Sequence, residues 1–164
     1  MILSGCLGMG IMYRRRAQQR VNELKGLQQM IELMAGQIRF ERDTLPQVCM
    51  KISGYLDGDY GKMLFRIYQI MEENPGIEFS KIYREEMMST IRSFPLKAQE
   101  KSFALALFDG NGFEDRQMQI DMLQNRYRMI QHMIQDAEEA QGKIGRIAVG
   151  MGILTGLFIV IVLI

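Results

Sequence analysis

The sequence predicts an all-α protein, a bundle of about six helices flanked by N- and C-terminal transmembrane helices. Three observations predict it. Apolar residues recur at spacings of three and four along most of the 164 residues. No stretch alternates with the period of two that a strand would show. From Ile147 to Ile164 the chain carries no charge and no Asn or Gln.

The two apolar ends differ in strength. Eighteen helical residues, Ile147 to Ile164, reach ~27 Å, close to the hydrocarbon thickness of a bilayer. A soluble helix that is apolar all round would need a larger protein around it. Met1 to Tyr13 is apolar and Gly-rich but reaches only ~20 Å before Arg14-Arg15-Arg16. Its positive charges follow the apolar run, the reverse of a secretory signal. Leu3-Ser4-Gly5-Cys6 has the letters of a lipoprotein signal, but almost no apolar stretch precedes Cys6. The favoured reading is a short or trimmed membrane helix. Three segments follow: 1–13 and 144–164 as spans, and 14–143 as the bundle between them.

Basic residues set the expected orientation. Arg14, Arg15, Arg16 and Arg20 follow the first apolar segment, and Lys143 and Arg146 precede the second. Both flanks belong to the bundle, which should therefore be cytoplasmic. Ser4 with Gly8, and Gly152 with Gly156, are small residues four apart, a spacing that lets helices approach closely in lipid. They suit either packing of the two terminal helices on each other or contact with a partner.

Within the bundle, Val21, Leu24, Leu27, Ile31, Met34 and Ile38 form one stripe on a helix from about Arg15 to Glu41. Asp43 or Thr44 caps a second helix, with Pro46 in its first turn and Val48, Ile52 and Leu56 inward. Asp57 to Gly61 has turn composition without the ligand spacing of a calcium loop. A third helix carries Met63, Leu64, Ile67, Ile70 and Met71 and ends at Asn74-Pro75-Gly76. A fourth runs from about Glu78 to Ser93 and a fifth from Leu96 to Phe108. Asp109-Gly110-Asn111-Gly112 is the clearest break, with Gly110 or Gly112 expected at positive φ. Beyond it Leu123, Tyr127, Ile130, Ile134, Ala137 and Gln141 form a seam that continues into the apolar end. From Glu114 onward are 51 residues, about 76 Å as one helix, with Gly142 and Gly145 as places for a bend.

Composition excludes several functions. Lys and Arg number 20 against 19 Asp and Glu, so there is no basic field for nucleic acid, and Trp is absent. Cys6 and Cys49 form neither a disulfide framework nor a metal site. His132 is the one histidine and reads as a surface or boundary residue. Gly110-Asn111-Gly112 lacks the rest of a phosphate loop. Asp109, Glu114 and Asp115 sit at a helix start, where acids complement the dipole. No catalytic residue, cofactor, metal or small-molecule substrate is expected. The 15 Met read first as core filler and second as adaptable contact surface.

The order of several short motifs resembles the stage III sporulation protein AB family over nearly the whole chain. One is Gln37-Ile38-Arg39-Phe40 followed by Thr44-Leu45-Pro46, where the family has a Glu-Ile-x-Tyr and a Pro-Leu-Pro-like run. Another is Gly112-x-x-Asp115-Arg116-x-x-Gln119, preceded here by Asn111 in place of the usual Leu. The third is Gly152-x-x-x-Gly156 before an apolar end. Tyr83 stands where the family often has Trp. The resemblance implies a membrane component of a complex linking mother cell and forespore. It also implies likeness to the cytoplasmic domain of type II secretion inner-membrane platforms. The implied partners are other membrane proteins of that complex, the lipid, and the complex's cytoplasmic ATPase. Gly112, Asp115, Arg116 and Gln119 are then candidates for a partner contact, or for bracing a helix corner. A membrane-tethered signalling adaptor shares the same physics and differs in its partner.

Overall fold

The computed structural model describes residues 2–40, 44–109 and 116–163, with side chains described for 12–39, 44–109, 118 and 120–143. The described residues form six helices and no strand. They are α1 (Ile2–Phe40), α2 (Leu45–Ser53), α3 (Asp59–Glu73), α4 (Phe79–Ile91), α5 (Ala98–Leu105) and α6 (Arg116–Leu163). Both apolar ends belong to the long helices of the bundle and are not separate elements. α6, with 48 residues, is about 72 Å long.

The two long helices run antiparallel. Gln18 of α1 accepts a hydrogen bond from Gln141 of α6, and Lys25 meets Glu138 at 2.7 Å. Farther along, Ile31 and Ala35 face Leu123 and Tyr127. Every position of the α1 stripe from Val21 to Ile38 is buried, as are Leu123, Ile130, Ile134 and Ala137 of the α6 seam. Two helices in contact over this length must cross at a shallow angle, as in coiled-coil-like bundles.

The shorter helices close the core. Thr44 is the N-cap of α2, and its backbone N–H donates to the Gln47 side-chain oxygen at 3.2 Å. Pro46 lies in the first turn, where its missing N–H costs nothing. Leu56 is buried, as its spacing predicts. α3 starts at Asp59, two residues inside the stretch whose composition predicts a turn. The turn proper is shorter and is made by Gly58 at φ +82°. Gly61 belongs to the first turn of α3 and is buried there. A Cβ on Gly61 would collide with the backbone carbonyl of Leu56, so only glycine lets α3 fold back onto the end of α2. Composition suggests a turn at Gly61; the tertiary contact explains why glycine is there.

Aromatic residues tie α3, α4 and α5 to the long pair. Tyr60 packs edge-on against Phe94, touches Gly26 of α1, and donates its hydroxyl to the Glu23 carbonyl at 3.2 Å. Tyr83 is fully buried against Phe79 and Phe108, and its hydroxyl donates to the Ala104 carbonyl at 3.0 Å. Burial raises both phenols well above their ordinary pKa, with Glu23 and Asp59 adding to the effect at Tyr60. A raised folded-state pKa means stability is intact below the unfolded value, about 10, and is lost as pH rises above it. Alkaline titration followed by phenolate absorbance and circular dichroism should show these two tyrosines ionising together with unfolding. Ionisation of all six Tyr before any loss of helix would contradict this burial.

Candidate docking surface

The sequence-predicted contact residues fall at or beyond the border of what is described. Gly112 and Asp115 lie outside the described residues, as does the positive φ expected at Gly110 or Gly112. Among the described residues, only Gly58 and Gly76 have positive φ. Arg116 and Gln119 occupy the first turn of α6, but their side chains lie outside the described set. Ser4 and Gly8 are in α1, and Gly152 and Gly156 in α6, again outside the residues whose surroundings are described.

Helical register still places two of these positions. Position 116 lies two turns before Leu123, and position 119 one turn before it. Both positions therefore continue the stripe of Leu123, Ile130 and Ile134, which faces the bundle.

The described outer surface of α6 carries a different feature. Met118, Met122, Met129 and Met133 are spaced by four, seven and four, and so share one side of the helix. Met118 is 56% exposed and Met129 41%, while Met122 and Met133 lean against the core. A separate open groove of about 320 Å³ lies between α1 and α6, on the other side of α6 from this stripe. Its apolar floor is Ile31, Ala35 and Leu123, and Glu32 and Arg128 stand at its rim. The methionines thus divide between two uses. Met30, Met34, Met63 and Met87 fill the core, and Met50, Met88, Met118 and Met129 face outward. Sequence periodicity missed the second group, although the spacing on α6 was visible.

The titratable groups follow burial. Cys49 is buried, and desolvation pushes its thiol up to about 12, so it is inert as a nucleophile at neutral pH. Glu23 is raised by burial first and by Asp59 second, with a hydrogen bond from Gln19 opposing. His132 is exposed, as its position predicts.

One charge differs from its sequence reading. Arg20 belongs by position to the basic flank of the first apolar segment. Its guanidinium instead makes a bidentate ion pair with Glu100 of α5, with Nε 3.0 Å from both carboxylate oxygens. Only 12% of the Arg20 side chain and 5% of Glu100 are exposed. The same carboxylate accepts the Lys97 backbone N–H at 2.8 Å, which caps α5. The long-range partner, 80 residues away, makes Arg20 a structural charge. The exposed flank is Arg14, Arg15 and Arg16.

Among residues whose side chains are described, no helix is long and apolar enough to cross a membrane. The apolar runs 1–13 and 144–164, on which the membrane reading rests, lie outside that set except for Met12 and Tyr13, both exposed. Comparison with curated proteins and with solved structures gives no match. A family model does match, that of stage III sporulation protein AB, over residues 1–164. With the motif order, the all-helical bundle and the whole length agreeing, this chain belongs to the stage III sporulation protein AB family.

Proposed function

We propose that this chain is a non-catalytic platform component of a sporulation-specific, secretion-like membrane complex linking mother cell and forespore, and that its bundle docks the complex's cytoplasmic ATPase. Membership of the stage III sporulation family along the whole chain carries the reading. The antiparallel α1 and α6 support it, since they bring both apolar ends to one end of the bundle, as a two-span anchor requires. The exposed methionines of α6 support docking, because flexible thioethers adapt to a partner's apolar surface.

Topology is tested by cysteine labelling in intact cells, with Cys6 removed. A cysteine at the exposed Gln99 should resist a membrane-impermeant reagent until the cells are opened. Labelling in intact cells would place the bundle on the other side. Docking is tested by pull-down from sporulating cells. The full chain should retain the ATPase, and Met118→Gln with Met129→Gln should weaken retention about tenfold or more, the cost of losing an apolar anchor pair. Loss with Arg116→Ala alone, the methionine pair remaining competent, would move the contact to the first turn of α6. Recovery of a sensor kinase or regulator in place of the ATPase would favour a signalling adaptor.

A further inference from the structure

The corner between α4 and α5 carries Arg92, Lys97 and Lys101, and the Lys101 amine donates to the Arg92 carbonyl at 3.4 Å. Arg92 and Lys97 are exposed and Lys101 is half-buried. Two contacts fix the height of this corner on the long helices. Glu100 grips Arg20, and Phe94 packs on Tyr60, which bonds to the Glu23 carbonyl. The corner therefore sits beside residues 20–26 of α1. Arg14, Arg15 and Arg16 precede Arg20, the nearer edge of that stretch, by four to six residues, roughly 6–9 Å along the helix. Lys143 of α6 is exposed at the same level, because Gln141 meets Gln18.

Seven cations thus gather at the end of the bundle from which the apolar ends leave. The carboxylates at this level are fewer. Glu100 is occupied by Arg20, Glu138 has Lys25 at 2.7 Å, Asp59 has Lys62 at 3.8 Å, and Glu23, Asp57 and Glu139 lie there too. Arg14 to Arg16 and Lys143 adjoin the apolar segments and would lie at the lipid surface by chain continuity alone. Arg92, Lys97 and Lys101 come from the middle of the chain and reach that level only through the fold.

We infer that the α4–α5 corner is a second membrane contact, in which Arg92, Lys97 and Lys101 rest on anionic lipid headgroups and hold the bundle down against the bilayer. The inference rests on the spanning reading of the two ends. Basic side chains within a Debye length of an anionic surface are drawn to it, and the attraction falls with salt. The contact would fix the tilt of the bundle, and with it the direction in which the α6 methionines face.

The test uses the full chain with Cys6→Ser and a fluorophore on Gln99→Cys, while Cys49 stays buried and unreactive. The protein is placed in nanodiscs of phosphatidylcholine, with or without one part in three of phosphatidylglycerol, containing a nitroxide headgroup quencher. Strong quenching is expected in the anionic discs, falling at high salt. The triple variant R92Q/K97Q/K101Q should shift the equilibrium away from the surface on the order of a hundredfold, since each cation contributes about fivefold. Lys81→Gln, an exposed change on the far part of α4, should leave the quenching intact. Equal quenching in both lipids, or undiminished quenching in a triple variant of normal helicity, overturns the inference. If the triple variant loses helicity, Lys97→Gln alone decides the matter by the same readout. A chain that leaves the discs under alkaline wash refutes the spanning reading itself, a result distinct from either.

Discussion

Gly61→Ala is expected to cost roughly 3–5 kcal/mol, at the exceptional end for a single methyl group. The backbone at Gly61 is ordinary helix, so conformational freedom is not the reason for the glycine. The obstacle is the Leu56 carbonyl, which a Cβ would meet far inside contact distance, with the Ser53 carbonyl at 3.1 Å beside it. Backbone atoms cannot step aside as a side-chain tip does. α3 would have to lift from α2 and loosen the buried Tyr60, Met63 and Leu64. Gly36→Ala is the control. It lies within α1, and a Cβ there meets nothing within 4 Å. It should be neutral or stabilise by about 0.5–1 kcal/mol through helix propensity. Thermal melting of the detergent-solubilised chain checks both. A Gly61→Ala protein that melts with the parent would refute the packing of α2 on α3.

Arg20→Ala should destabilise by about 3–5 kcal/mol, because it leaves Glu100 buried with no countercharge. The two partners are almost enclosed, and the pair joins α1 to α5. Glu100→Gln should cost less, since a neutral amide oxygen can still accept the Lys97 N–H. The double variant Arg20→Met with Glu100→Leu removes both charges together, and should recover most of the loss, minus the cap on α5. A cycle of single and double variants measured by denaturant melts gives the coupling directly. Additive costs would mean that the pair is solvated in solution. Arg20→Ala should leave membrane orientation unchanged, because its charge is already neutralised by Glu100.

The helices and their inner faces were largely legible in the sequence, because a helix is local. Spacings of three and four identified the whole α1 stripe and nearly all of the α6 seam, and Pro46, Pro75 and Gly76 marked boundaries. Motif order over the whole length was also a property of the sequence, and the family match agrees with it. The misses share one cause. Arg20 looked like a flank charge because its partner lies 80 residues away. Gly61 looked like part of a turn because the carbonyl that excludes a side chain belongs to the preceding helix end. Met118 and Met129 match the buried methionines in chemistry and differ only in which side of α6 the bundle leaves uncovered. The basic corner at Arg92, Lys97 and Lys101 reaches the level of Arg14 to Arg16 only once α5 docks on α1. The sequence by itself determined which residues form helices and which side of each is apolar, since periodicity is written along one element. Only the tertiary structure decided which charges are paired, which glycine is indispensable and which methionines remain outside, since each depends on an atom brought near by a different helix.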